Sequence, residues 1–366
     1  MLLLFQRIHS SGLKILPEAF EYLFHAFTEE NAQTKNLYEG YQLLACDGSN
    51  LTIAPNLNDP ETLWKSNQLG ATGNHLHLNA LYDVLNRTYI DALVQTASTY
   101  QEHRACIQMI ERVTLDKVIL IADRGYENYN IMSHAIEKGW KFLIRIKDVH
   151  SNGIASGLEL PQTAVFDMDI NLILTRNQTK SKKQAGYKFM PTVQTFDYLP
   201  IGSKEDYPIS FRIARFKIAD DSYETVITNL DRFCFSAEKL KELYHLRWGI
   251  ETSFRELKYA IGLTSFHAKK VDYIKQEIFA RLTLYNYCEL ITTYVVEHTE
   301  NISKKNQVNF TIAIYICREY LRRKRKLRPP DVVKLIEKHI LPIRPGRRDP
   351  RKVKPQASVS FLYRVA

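Results

Sequence analysis

In YHLRWGIETSFRELK, residues 244–258, a phenol, two cations and a carboxylate (Tyr244, Arg247, Glu251, Lys258) recur at intervals of three, four and seven. On a helix advancing about 100° per residue they share an arc of about 60°. Two aspartates elsewhere close apolar runs: Asp47 follows LLAC, and Asp123 follows VILIA. An acid at the tip of a central strand lies where an open α/β sheet places its site. With Glu251, the two aspartates make an oxygen-only donor set suited to Mg²⁺ or Mn²⁺. Two such ions about 3.5–4 Å apart clamp the attacking and leaving oxygens of a phosphodiester. Arg247 and Lys258 then face the flanking phosphates, and Tyr244 donates to a phosphate oxygen. Each feature also has a plainer explanation. Arg, Glu and Lys at these spacings form weak surface ion pairs, and Asp often ends a strand by starting a turn.

The elements that must carry these residues follow from hydrophobic patterning. Leu243, Leu246, Ile250, Phe254, Leu257 and Ile261 form an apolar stripe beside the polar strip, with Ser236 as N-cap and Gly262 as stop. The spacing predicts one amphipathic helix over 237–261. Strands are expected at 41–55, on both sides of a turn at Asn86, at 117–129 ending near Asp123, and at 140–147. Helices are expected within 1–34, at 100–113, in NIMSHAIEKG, at 270–298 and near 309–325. Residues 56–73 read as a polar loop. Residues 148–236 change character to short alternating segments between turns, a β-rich insertion. The order predicts an α/β layer with a mixed sheet flanked by helices.

Bulk composition narrows the class. A hydrophobic fraction of 45% with 25% charged residues is ordinary for a globular chain of 366 residues. The most apolar helix, EIFARLTLYNYCELITTYVV, is interrupted by Arg281 and Glu289, so no membrane span is expected. MLLLF is too short for a signal peptide. Cys46, Cys106, Cys234, Cys288 and Cys317 are scattered, odd in number and without a CxxC, which argues against disulfides or a zinc finger and for a reducing cytosol. The total charge of +10 is uneven: residues 301–366 hold 18 Lys and Arg against 4 Asp and Glu, a net of +14, which leaves −4 for the first 300. RRKRKLR and RPGRRDPRKVK concentrate that charge. Such a surface suits phosphate neutralisation, although a solvated basic tail is common.

DGS at 47–49, ADRGYEN at 122–128, the spacing Y-x2-R-x3-E-x6-K at 244–258 and the closing PIRPGRRDPRKVKPQASVSFLYRVA together resemble bacterial insertion-sequence transposases of the DDE type, the insertion-sequence-four family. The resemblance spans about residues 35–366. It implies a ribonuclease-H-like core with a β-rich insertion and a helical, basic C-terminal region. The implied boundaries are a remnant N-terminal helical segment at 1–36, core at 37–147 and 237–300, the insertion at 148–236 and the basic region at 301–366. It implies Asp47, Asp123 and Glu251 as a triad holding Mg²⁺ or Mn²⁺, two ions in all. Tyr244, Arg247 and Lys258 would position DNA around the scissile phosphate; from the charge run alone, Arg322, Arg323, Lys324, Arg325 and Lys326 are expected as further DNA contacts. The implied chemistry frees a 3′-OH at an element end by metal-assisted hydrolysis, and that 3′-OH attacks another phosphodiester. The implied partners are double-stranded DNA, as element ends and target, and a second copy of the chain at synapsis. The implied setting is the bacterial cytoplasm, at the nucleoid. A stand-alone nuclease on the same core and a catalytically idle DNA-binding relic are the alternatives.

Two departures from the family stand out. Relatives that cut through a hairpin stack a flipped base on a tryptophan of the insertion, yet Trp64, Trp140 and Trp248 all lie outside 148–236. Tyr187, Tyr198 and Tyr207 are the aromatic substitutes on offer there. Fewer than fifty residues precede Asp47, so the family's DNA-end-binding domain is expected to be truncated or missing. Weaker candidates are His75 and His77 as metal ligands, Asp83, Asp91 and Glu256 as outer acids, and Trp248 as a stacking surface. For these the ordinary expectations are a strand histidine pair, surface charges and core packing, respectively.

Overall fold

The computed structural model describes residues 18–31, 36–65, 72–149, 151–179, 186–298, 306–322 and 328–342. In chain order these form helix α1 (Glu18–Glu30) and strands β1 (Gln42–Ile53), β2 (Leu63–Lys65), β3 (Thr72–Asp83) and β4 (Thr88–Thr96). Helix α2 (Glu102–Arg112), strand β5 (Val118–Ala122), helix α3 (Tyr129–Glu137) and strand β6 (Lys141–Arg145) follow. Then come β7 (Phe166–Thr175), β8 (Tyr187–Phe189), β9 (Asp206–Ala219) and β10 (Ser222–Thr228). The remaining helices are α4 (Ala237–Leu246), α5 (Trp248–Tyr259), α6 (Val271–His298), α7 (Phe310–Arg322) and α8 (Val332–Glu337). A short ladder pairs 306–308 with 340–342.

β1 lies at the heart of a ten-stranded mixed sheet. It runs antiparallel to β3, which carries β4 beyond it, and parallel to β5, which in turn runs parallel to β6. Parallel strands need covered faces, so their sequences are continuously apolar rather than alternating. Leu43 and Leu44 point to opposite faces and both are fully buried, as is all of VILIA in β5. Each such Leu or Ile contributes about 1.5–3 kcal/mol of burial. On one face α2 and α3 pack through Cys106, Met109, Ile110, Ile131 and Met132 onto Leu44, Cys46 and Leu120. On the other face α1, α5 and α6 cover Ala45, Leu51, Leu78 and Tyr89. There too, α4 covers Leu43, Ile119, Ile121 and Leu143.

Most expected elements are present within a few residues of their expected bounds, with four instructive differences. β2 arises inside the stretch expected to be a loop, where Leu63–Lys65 extend the edge of β3. The strand at 117–129 ends at Ala122, and Asp123 then caps a single 3₁₀ turn over Arg124–Tyr126. The β-rich segment 148–236 does not form a sheet of its own: β10 pairs with β6, and β9, β7 and β8 extend the same sheet outward. The helix expected over 237–261 breaks at Arg247 into α4 and α5. The break falls where the chain passes from one core cluster to another: Leu243 packs with Ile119 and Leu143, whereas Ile250 packs with the β1–β3–β4 cluster. Gly249, just after the break, lies against the β3–β4 hairpin, where a Cβ would meet Val84 Cγ1 at an ordinary 3.4 Å.

Candidate active site

Strand register decides where the two aspartates sit. The last paired step of the parallel β1–β5 ladder is Cys46 opposite Ala122. Asp47 and Asp123 are each the next residue along neighbouring backbone segments of the sheet, spaced about 4.8 Å apart. Side chains alternate along a strand, so Asp47 shares the face of Leu43 and Ala45, and Asp123 the face of Ile119 and Ile121. That is the face covered by α4 and α5. Asp47 is not at a strand tip, because β1 continues to Ile53 against β3. The tip is that of β5, and the shorter strand leaves the flank of Asp47 open.

Local backbone groups orient both carboxylates. Asp47 Oδ1 accepts the Gly48 N–H at 2.8 Å, and Asp123 Oδ1 accepts the Gly125 N–H at 2.8 Å. From the break between the helices, buried Arg247 donates from Nη2 to Glu251 Oε1 at 2.8 Å, and its Nη1 lies 4.0 Å from Asp47 Oδ2. One guanidinium thus joins Asp47 to Glu251. Lys258 Nζ donates to the Asn50 carbonyl at 3.1 Å, three residues beyond Asp47 on β1. Burial lifts the Asp47 carboxyl to about 6; Asp123 and Glu251 add repulsion, while the Gly48 amide and Arg247 oppose the rise. Burial also lowers the Lys258 ammonium.

Among the described residues no group of three His, Cys, Asp or Glu stands preassembled around an ion position. The charge distribution nevertheless fits a hard cation. Asp47 is raised partly by two other carboxylates, all donors are oxygens, and the single positive charge of Arg247 faces two of the three acids. Freeing Glu251 from Arg247 would open an all-oxygen donor set.

The strip is only partly kept. Arg247, Glu251 and Lys258 converge on β1, but the helix break turns Tyr244 into the cluster under α4, where it is 3% exposed. Its ring centroid lies 5.7 Å from the Arg247 guanidinium carbon. Tyr244 lines an open groove of about 800 Å³ with Arg145, Glu224, Lys241, His245 and Trp248. Core packing was the expectation for Trp248, but it is 48% exposed, with the Arg247 guanidinium 5.1 Å from its ring. Arg322 ends α7 in an ion pair with Glu319. Arg323, Lys324, Arg325 and Lys326, and the basic stretch 344–354, lie outside the described residues.

The weaker candidates have structural occupations. His75 stacks on Trp64 at 5.3 Å. Asp83 accepts the Leu85 and Asn86 amides in the β3–β4 turn, Asp91 is bidentate with Arg112, and Glu256 accepts from Tyr285 and Arg87. These acids are buried or half-buried rather than surface charges. Tyr198 and Tyr207 pack on each other and on Phe196, beside α3. Sequence reasoning overlooked Glu102 and His103, at the start of α2, which approach the two aspartate segments from the opposite face. Of that arrangement only His77, in HLHL, stood out by its pattern.

Residues 38–287 match the family described as "Transposase DDE domain". A relative from Geobacillus stearothermophilus, "Probable transposase for insertion sequence element IS5377", is 23% identical over 178 residues, 48% of this chain; the match spans 40% of that relative's length. Among solved structures, a piggyBac transposase synaptic complex with hairpin DNA aligns with a TM-score of 0.45 and 10% identity, over 84% of this chain and 59% of that one. The family match takes in more than half of the chain, including Asp47, Asp123 and Glu251, and the chain therefore belongs to the transposase DDE domain family.

Proposed function

We propose that this chain is a DNA transposase that cleaves the ends of an insertion sequence and joins them to target DNA with the help of Mg²⁺ or Mn²⁺, two ions in all. The observation that carries this reading is the register placing Asp47 and Asp123 side by side just past the last β1–β5 pair, with Arg247 tying Glu251 to the same point. Asp47, Asp123 and Glu251 would hold the ions. When bound, the ions supply electrophilic stabilisation of the phosphodiester oxygens. The chain's own groups do the rest. The Gly48 and Gly125 amides fix one oxygen of each aspartate. Arg247, released from Glu251, keeps a buried guanidinium facing the phosphate, and Lys258 adds a cation further along β1.

The strand order β4–β3–β1–β5–β6 supports a ribonuclease-H-like core over 37–147 and 237–300, with 148–236 as an insertion that lengthens its sheet. The spacing from Tyr244 to Lys258 supports the insertion-sequence-four family. Double-stranded DNA is the partner, the basic region 301–366 adds phosphate contacts, and a second copy of the chain completes the synapsed complex. The setting is the bacterial cytoplasm; no described helix is long and apolar enough to cross a membrane.

The test uses DNA carrying the sequences that flank this reading frame. Glu251→Ala should abolish Mg²⁺-dependent strand cleavage and keep DNA binding. Undiminished cleavage by that variant overturns the proposal. Precut ends incubated with target DNA should yield joined products, whereas a stand-alone nuclease yields none.

A further inference from the structure

The two segments that follow the aspartates are held by consecutive residues of one helix turn. After Asp47, Gly48 faces α2, opposite to the carboxylate it follows. A Cβ on Gly48 would lie 3.0 Å from Glu102 Oε1 and would collide with His77 Nε2. His77 lies between two oxygens: Nδ1 is 2.7 Å from Asn50 Oδ1, and Nε2 is 3.1 Å from Glu102 Oε1, close enough for an ion pair although not aligned as a hydrogen bond. After Asp123, the Gly125 N–H binds the aspartate carboxylate while its carbonyl oxygen lies 2.6 Å from His103 Nε2.

The hydrogen bonds around His103 assign its tautomer. Asn128 Oδ1 accepts the Asn130 N–H at 2.7 Å as the N-cap of α3, so its Nδ2 faces the other way. That Nδ2 donates to His103 Nδ1 at 3.1 Å. Nδ1 is therefore the acceptor, and Nε2 carries the hydrogen donated to Gly125.

Given the metal-binding role proposed above for Asp47 and Asp123, we propose that Glu102 and His103 are positioning residues that act as one clamp, setting the separation of the two aspartates. Glu102 acts through His77 on the Gly48 segment, and His103 acts on the Gly125 peptide. Neither touches the carboxylates. Because both come from the first turn of α2, a displacement of one aspartate segment relative to the other must strain the same turn. Partners hydrogen-bonded directly to a metal ligand are worth about 10–100-fold in metal affinity; Glu102 and His103 act one peptide further out, so the lower end is expected.

The experiment titrates Mn²⁺ alone into the full chain, reading free Mn²⁺ by electron paramagnetic resonance well below the unfolding midpoint. His103→Leu and Glu102→Gln should each weaken Mn²⁺ binding about tenfold. His103→Gln keeps an N–H donor for the Gly125 carbonyl and should restore most of the affinity. A merely structural role would lower the melting temperature without this rescue. Should His103→Leu fail to fold, Glu102→Gln and His103→Gln still carry the comparison. Wild-type affinity in Glu102→Gln, or equal losses in the Leu and Gln variants at 103, overturns the clamp. Asp123→Asn is the control: if it binds Mn²⁺ as the wild type does, the metal site itself is misplaced, which is a different failure.

Discussion

Gly48→Ala is the smallest change that tests how tightly the Asp47 segment is packed. The backbone at Gly48 is not in the left-handed region, so alanine faces no conformational penalty there. In a position free of contacts, replacing a glycine in this way would stabilise by about 0.4–1 kcal/mol through the unfolded chain. Here the new methyl meets His77 Nε2 well inside van der Waals contact and Glu102 Oε1 at 3.0 Å. The imidazole cannot swing aside without losing its 2.7 Å contact with Asn50 and its 3.1 Å contact with Glu102. Overpacking of this kind costs about 1–3 kcal/mol. The net expectation is a loss of roughly 1–2 kcal/mol. Urea unfolding of wild type, Gly48→Ala, His77→Ala and the double variant gives the cycle. With His77 truncated only the flexible end of Glu102 remains close to the methyl, so Gly48→Ala should then be near neutral, a coupling of about 1–2 kcal/mol. Gly73→Ala is the control, because its nearest neighbour, His75 Nε2, would sit at an ordinary 3.5 Å. Equal effects of Gly48→Ala in both backgrounds would mean that His77 does not crowd the Asp47 segment.

Two further expectations concern how the outer strands are fastened to the core. Arg212 on β9 is buried and bidentate to Asp167 on β7, and also donates to the Phe235 carbonyl at 2.7 Å; Arg212→Ala should cost about 3 kcal/mol in urea unfolding. Asp197 accepts from Asn130 at 3.0 Å and Arg104 at 2.9 Å and contacts His134 at 3.0 Å; against the effect of burial, these partners hold its carboxyl below the usual value. Its stabilising effect is therefore present above about pH 4 and lost as pH falls through the lowered value in the folded state. Asp197→Asn should thus be less stable than wild type by about 1 kcal/mol at pH 6, with the gap closing on acidification, as thermal melts across pH would show.

The continuous apolar runs of β1 and β5 made the buried centre of the sheet legible, because a strand covered on both faces has little room for polar residues. The acids at the ends of those runs were legible for the same reason. Their grouping came from their chemistry and the family resemblance rather than from any local pattern, since adjacency depends on the parallel register of Cys46 with Ala122. The break at Arg247 was hidden because the apolar stripe from Leu243 to Leu257 continues across it, while its two halves bury into different clusters. Alternation in 148–236 announced strands but not that β10 would join β6. Glu102 and His103 carried no signal beyond their place in the first turn of a helix. Their approach to Gly48 and Gly125 is a product of tertiary packing.

If Asp47, Asp123 and Glu251 gather a divalent cation at the end of β5, as proposed, crystals of the full chain soaked in Mn²⁺ will reveal it by anomalous diffraction. The expected peak has carboxylate oxygens of Asp47 and Asp123 at roughly 2.0–2.6 Å, with Glu251 turned from Arg247 towards it. Mn²⁺ bound elsewhere, with Arg247 still joining Asp47 to Glu251, would contradict the proposal.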